Sequence, residues 1–321
     1  LLNSFKKKIK ISSSYYFKKL SRDRQLRIHN YITSDDKKFY SNQNLFDAIF
    51  FELRTKCNSQ CTFCAASIQN DIRPDITMSF ELYEKVINEL AEINYDKRIS
   101  FHVNSEPLLV KNLHEYISLA RKKCPNSWIQ ILSNGRSLNN QRGEEILNAG
   151  IDELSLNLYR KTLTEKLPMN IKKFEEEVLY KIYNKENVYH GLPGKINKKR
   201  FPKYIKYTKT KRLVEEVLSN RAGSAPNKKN NHELPNLGYC SHPFSQFNIT
   251  VNGDVGQCCA DFFFQSKMGN VKNNSILEIW NGNRFKNLRD SLKKSQRHNN
   301  LLCAGCDHFG MNNLPKNFIK R

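Results

Sequence analysis

The chain has 321 residues, enough to bury a large core and to form one large domain beside a smaller one. Hydrophobic residues make up 39% of it in periodic segments, which excludes a disordered chain, and no apolar run is long enough to span a bilayer. The formal charge of +22 is concentrated: residues 1–46 hold 11 basic and 3 acidic residues and 185–212 hold 10 and 1, so +17 sits in two segments and +5 in the rest. Nucleic acid is therefore disfavoured as a partner, and the Lys-rich arm 1–46 leaves a membrane surface open as one. The start lacks an apolar h-region, so no signal peptide is expected. Nine cysteines without an export signal point to metal ligation in a reducing, cytoplasmic compartment rather than to a disulfide scaffold.

After the arm, strands and helices alternate. Ala48-Ile49-Phe50-Phe51 reads as a strand, followed by Cys57, Cys61 and Cys64 in one loop. Ser79 caps a helix whose apolar face is Leu82, Val86, Ile87 and Leu90. Strand 98–103 leads into Asn104-Ser105-Glu106-Pro107 and a helix through Leu113, Ile117 and Ala120. Strand 128–132 ends in Ser133-Asn134-Gly135, helix 144–149 stops at Gly150, and strand 151–157 ends at Asn157. A helix is expected near 174–183, then a basic, solvated insertion at about 185–212. Repeated βα units imply a parallel sheet, with ligand residues just past the carboxyl ends of its strands. The cysteine loop, Ser105-Glu106, Ser133-Asn134 and Asn157 all fall there.

Three thiolates suit a soft metal. A cubane iron–sulfur cluster has four irons, so three cysteines leave one iron open to a substrate or cofactor. A structural zinc loop is the competing reading, but zinc takes four ligands and no fourth Cys or His is close in sequence. Cys240, Cys258, Cys303 and Cys306 form a second set with gaps of 17, 44 and 2 residues. Phe247–Val255 lies among them as a hairpin with an Asn-Gly turn. Four thiolates close a cluster completely, which suits electron transfer or structure; a zinc ribbon is the alternative. Cys124 and Cys259 are left over.

Cys57-x3-Cys61-x-Phe63-Cys64 after a first strand resembles the signature of radical S-adenosylmethionine enzymes. The tail, with its hairpin before Cys258 and Leu302-Cys303-x-x-Cys306, resembles the twitch domain, a short form of the SPASM domain. The resemblance implies an α/β fold: a partial (β/α) TIM-type barrel with a small C-terminal β-hairpin/helix iron–sulfur domain. The corresponding boundaries are 1–46 for the extension, 47–222 for the core and 223–321 for the auxiliary domain. It implies two 4Fe-4S clusters and S-adenosyl-L-methionine as cofactors. Cys57, Cys61 and Cys64 would hold the first cluster and Cys240, Cys258, Cys303 and Cys306 the second. Asn104–Pro107 resembles the family's Gly-Gly-Glu-Pro loop for the amino group of S-adenosylmethionine, with Glu106 kept and both glycines absent. Ser133-Asn134-Gly135 resembles the ribose-contacting strand end, and Phe63 the aromatic near adenine. With Ser105 and Asn157 these complete the expected cofactor contacts.

Arg98–His102, Glu106–Leu109, Lys111–Leu113, Leu218–Arg221 and Met268–Asn270 further resemble the family's amino-cyclitol dehydrogenases, where the Arg matching Arg221 lies at the substrate. This implies an adenosyl radical that takes hydrogen from a carbinol carbon of a sugar, polyol or amino-cyclitol, the auxiliary cluster accepting the second electron. An anionic substrate fits the basic segments, and a flavodoxin or ferredoxin is the expected reductant. The alternatives are a radical epimerase with Cys259 as hydrogen donor, a peptide-modifying maturase, and a metal-dependent nucleic-acid binder.

Overall fold

A computed structural model describes Leu26, Asn30 and residues 45–308 except 68–70, 191–203, 216–219, 227–233 and 238–239. Most of the basic arm, the centre of the basic insertion and Leu218-Ser219 therefore lie outside the described residues.

Nine strands form one sheet in the order β5-β6-β4-β3-β2-β1-β7-β8-β9. They are β1 (Ala48–Phe51), β2 (Arg98–Ser100), β3 (Trp128–Ser133), β4 (Glu153–Arg160), β5 (Val188–Tyr189), β6 (Ile205–Leu213), β7 (Gln246–Ile249), β8 (Asp254–Gly256) and β9 (Lys267–Asn270). Every pairing from β5 across to β7 is parallel, and β7, β8 and β9 are antiparallel. Helices Phe80–Glu92, Leu113–Lys123 and Asn140–Asn148 connect successive parallel strands, as a βα series requires. The sheet is open, consistent with a partial barrel.

The two faces of this sheet differ because side chains alternate along each strand. One face carries Ile49, Phe51, Ile99, Ile129, Ile131, Leu154, Leu156, Ile205, Phe247 and Ile249, which join Leu82, Tyr83, Val86, Leu113, Ile117 and Trp280 in one buried apolar cluster. The other face is polar. Register aligns Phe50 with Ser100 and Asn248, Ser100 with Gln130, Gln130 with Glu153, and Glu153 with Lys206. Ser100 Oγ lies 2.9 Å from His102 Nδ1 and 3.2 Å from Gln130 Oε1. Helices cover the apolar face, so the polar face is left to line the inside of the partial barrel.

At the amino-terminal ends of β4 and β6 that inner face holds a buried ion pair, Lys206 Nζ to Glu153 Oε1 at 2.9 Å. Trp128 Nε1 (3.0 Å) and Ser155 Oγ (2.9 Å) also donate to Glu153. Burial pushes the Glu153 carboxyl up, but hydrogen bonds from Lys206 and Trp128 outweigh it and hold the group below its ordinary value.

Three elements differ from expectation. β2 ends at Ser100 because the chain then turns to place Glu106, whose N–H donates to Lys56 O at 3.1 Å instead of to a neighbouring strand. Residues 205–213, expected in a solvated insertion, form β6 and pair with β4 over eight residues. Lysine-rich composition hides their alternation, in which Ile205 and Tyr207 face the apolar side while Lys206 and Thr208 face inward. The Asn252-Gly253 turn forms, with Gly253 at φ +84°, but β7 pairs in parallel with β1, so the hairpin extends the barrel sheet.

Replacing Glu153 by Gln leaves Lys206 buried without a countercharge. Urea unfolding at neutral pH is expected to show a loss of about 3–5 kcal/mol. Because the folded carboxyl lies below its unfolded value of about 4.3, the pair's contribution is complete above that pH and disappears as pH falls through the folded value. The acid limb of the stability profile should therefore be shallower in Glu153→Gln.

Candidate active site

The cysteine loop is an excursion whose ends are zipped together beyond β1. Met78 N donates to Leu53 O (2.8 Å), Thr55 N to Ile76 O (3.0 Å), and Arg54 bridges Thr77. Inside it Arg73 ties several segments together. Its guanidinium donates to Glu52 Oε1 (2.8 Å), to both Asp71 oxygens (3.0 Å each), to Thr55 O (2.7 Å) and to Asn104 O (3.3 Å). It also lies 4.5 Å from the centre of the Phe262 ring. Glu52 and Asn104 are almost fully buried, so this is a network of desolvated, charge-assisted bonds.

Glu106 anchors the opposite wall. It is buried, and Oε1 accepts from Ser133 Oγ (2.6 Å) and Leu108 N (3.0 Å) while Oε2 accepts from Asn134 N (2.8 Å). Burial pushes its carboxyl up, and these three bonds pull it back. Asn134 Nδ2 reaches Cys57 Sγ at 3.7 Å and donates to Asn58 Oδ1 at 2.9 Å. Ser59 Oγ lies 3.1 Å from Cys61 Sγ. Phe63 packs on Tyr159 of β4 with ring centres 5.6 Å apart, and Thr62 N donates to Val214 O beyond β6 at 2.9 Å. Asn157 Oδ1 accepts from Arg212 Nε at 3.3 Å. Ser105 is half-buried between Asn104 and Glu106. The three first-set cysteines, Ser105, Glu106, Ser133, Asn134, Phe63 and Asn157 thus line one rim, past or near the carboxyl ends of β1 to β4.

The second thiol set is buried around Cys258. Burial raises the Cys258 thiol well above its ordinary value, and the neighbouring thiols of Cys259, Cys240, Cys306 and Cys303 add to the shift. Cys303 is pushed up to about 12 and Cys306 to about 11, in both cases mainly by burial. Asn220 N donates to Asp307 Oδ1 (2.7 Å), Asp307 N to Asn220 Oδ1 (3.1 Å), and Asn220 Nδ2 to Gly305 O (2.7 Å). This clamp holds the next turn, in which Arg221 (φ +47°) and Ala222 (φ +52°) both occupy the left-handed region. Two consecutive non-glycine residues there cost energy that the surroundings must supply. Arg221 Nη2 donates to Cys259 O at 3.1 Å, and Cys259 Sγ lies 3.8 Å from His242 Nδ1. The Arg221 charge also helps hold His102, on the inner face, down to about 3, after burial and Arg98.

Cys258 to Phe262 joins the two regions. Phe262 packs with Ala65 and Ala66 against Cys57 and Cys64, and its carbonyl accepts from Asn104 Nδ2 at 3.3 Å. Arg73, His102 and Phe262 received no role from sequence alone, and Asn104 was read only as part of the Asn104–Pro107 loop. Cys124, the other left-over thiol, belongs to the apolar cluster behind the sheet, its Sγ 3.9 Å from Ile87 O.

All nine cysteines are free thiols. Among the described residues no group of three or more His, Cys, Asp or Glu side chains closes around a single-ion position. The donor chemistry of both sets fits iron–sulfur clusters. Burial pushes Cys57 up to about 12, with Glu106 and the other two thiols adding to it, and raises Cys61 as well, so these two sulfurs favour the ionised form only with a cation beside them. Among the described residues no helix is long and apolar enough to cross a membrane.

Comparison with known proteins agrees with this geometry. Residues 52–182 match the model of the radical SAM superfamily, and residues 240–307 match that of SPASM, an iron–sulfur cluster-binding domain. The S-adenosyl-L-methionine-dependent 2-deoxy-scyllo-inosamine dehydrogenase of Niallia circulans is 28% identical over 267 residues, covering 83% of this chain and 95% of that protein. The crystal structure of BtrN in complex with AdoMet and 2-DOIA superposes with a TM-score of 0.60 at 26% identity, over 82% of this chain and 94% of that one. An open conformation of BtrN gives 0.56 at 22% identity, over 82% and 93%, and supports the fold. With the two matched in order, the chain carries a radical SAM domain over residues 52–182 followed by a SPASM-type iron–sulfur domain over residues 240–307.

Proposed function

We propose that this radical SAM enzyme is a dehydrogenase that oxidises a carbinol of an amino-cyclitol, or of a related polyol, to a ketone. The observation that carries the reading is the position of Arg221. It bonds to Cys259 O beside the second thiol set while its charge reaches His102 on the polar inner face. In this reading a ring held there lies between the two thiol sets. The relative that acts on 2-deoxy-scyllo-inosamine, aligned over 95% of its length, supports the same substrate class.

In this reading Cys57, Cys61 and Cys64 hold the radical cluster, and Cys240, Cys258, Cys303 and Cys306 the auxiliary one. When bound, the clusters and S-adenosylmethionine would supply a hydrogen-atom acceptor for the carbinol C–H and an acceptor for the second electron. The chain's own residues position and shield. Phe63 and Tyr159 form the aromatic wall for adenine. Glu106 and Ser133 act mainly through the loops they fix, because both Glu106 oxygens already accept protein donors. Ser105, Asn134 and Asn157 offer polar contacts along the rim. Arg221 holds the substrate oxygen and stabilises negative charge as the hydroxyl proton passes to water. Arg73 keeps the cysteine loop in register with Asn104 and Phe262. A flavodoxin or ferredoxin supplies the priming electron, and a reducing cytoplasm is the compartment that suits oxygen-sensitive clusters. Contact of the basic arm with an anionic membrane would be an additional property.

The half-buried Cys259 thiol next to Arg221 favours one second reading, epimerisation, in which this thiol returns a hydrogen atom to the substrate radical.

Anaerobic protein reconstituted with iron and sulfide, reduced, and given S-adenosylmethionine with 2-deoxy-scyllo-inosamine should form 5′-deoxyadenosine and ketone in equal amounts. Cys57→Ala should form neither. Release of 5′-deoxyadenosine with no ketone, and with solvent deuterium in recovered substrate, would overturn the dehydrogenase reading in favour of epimerisation. Cys259→Ala should still oxidise the substrate; if epimerisation is the reaction, it loses the deuterium incorporation. Arg73→Ala strips the buried Glu52 of its countercharge, so a stability loss of about 3 kcal/mol or more is expected by chemical unfolding. Iron bound at the first site should fall while the second site stays filled.

A further inference from the structure

Gln257 lies immediately before Cys258, at the end of β8, and is fully buried. Its carboxamide faces two groups, Asn300 and Cys303. The backbone N–H of Cys303 is an obligate donor and meets Asn300 Oδ1 at 3.0 Å. That contact fixes the orientation of the Asn300 amide, so its Nδ2 is the atom facing Gln257 and donates to Oε1 at 3.0 Å. With its oxygen so engaged, Gln257 presents Nε2 to the Cys303 sulfur at 3.3 Å, with Asn300 Oδ1 a longer 3.5 Å away. The donor to sulfur is therefore fixed by a chain of hydrogen bonds that begins at the backbone.

We infer that Gln257 is a positioning residue that raises the reduction potential of the auxiliary cluster by donating its amide N–H to the Cys303 thiolate. This rests on the proposed reading in which Cys303 ligates that cluster. The one-electron reduced cluster carries one more negative charge than the oxidised one, and part of that charge resides on the ligand sulfurs. A buried donor stabilises the reduced form more than the oxidised form, and in a site this desolvated the difference is not screened by water. The effect favours transfer of the second electron out of the substrate. A second donor, His308 N to Cys306 Sγ at 3.4 Å, is backbone and unaffected by substitution at Gln257.

Gln257→Met keeps the volume and removes the donor. Asn300→Asp keeps the acceptor for Cys303 N and loses the donor that orients Gln257. The probe is a potentiometric titration of each reconstituted protein, followed by the electron paramagnetic resonance signals of the two clusters. Gln257→Met should lower the auxiliary midpoint by about 59 mV, a tenfold change in the one-electron equilibrium, and leave the radical cluster unchanged. Asn300→Asp should lower it in the same direction. Ketone formed per 5′-deoxyadenosine should fall in step. An auxiliary midpoint unchanged in whichever variant keeps its iron overturns the inference. So does loss of the second cluster in both variants, which would make the role structural. Wild-type protein that holds one cluster only would instead overturn the reading beneath it, so the two failures are distinct.

Discussion

The parallel pairing of β1 with β7 is the constraint on which the rest depends. β1 lies between β2 and β7 and carries the first cysteine loop at its carboxyl end. Because β7 is hydrogen-bonded alongside it, the chain that leaves β8 through Cys258 and Cys259 returns to that loop at Phe262. A sheet without this pairing could hold each thiol set separately but would have no reason to hold them in one arrangement.

Electrostatics explains why the surrounding residues are so unlike an ordinary core. Burial makes ionisation costly for Cys57 in the first set and for Cys258 in the second, so a cation beside them is favoured. The nearby carboxylates find partners within the protein: Glu52 and Asp71 pair with Arg73, Glu153 pairs with Lys206, and Glu106 accepts from three neutral donors. Arg98 and Arg212 stand on that face beside neutral Ser, Thr, Asn and Gln side chains, Arg212 donating to Asn157, and the Arg221 charge is felt at His102. Such a lining suits the substrate class proposed above.

Much of this was legible in the sequence because it is local. A triplet of cysteines, a capping serine at Ser79 and an Asn-Gly turn each declare themselves within a few residues. The βα alternation alone brings Glu106, Ser133, Asn134 and Asn157 to one rim. What escaped was long-range. Arg73 has no spacing rule because its partners, Glu52, Thr55 and Asn104, come from different segments. β6 was hidden because an inward-facing Lys206 reads as solvated until Glu153 is seen to pair with it. The amide of Gln257 could not be connected to Cys303 across 46 residues. The left-handed turn at Arg221 and Ala222 carried no glycine until Gly223, so its strain was visible only in the backbone.

The most direct measurement is the metal content of anaerobically reconstituted protein, read together with its Mössbauer spectrum before and after S-adenosylmethionine is added. Two filled thiol sets predict about eight irons per chain, all in cubane clusters, with a spectral change on addition confined to one unique iron of one cluster. Protein that holds zinc in place of iron, or iron whose spectrum does not respond to the added nucleotide, would contradict the assignment of an open cluster to the Cys57 loop.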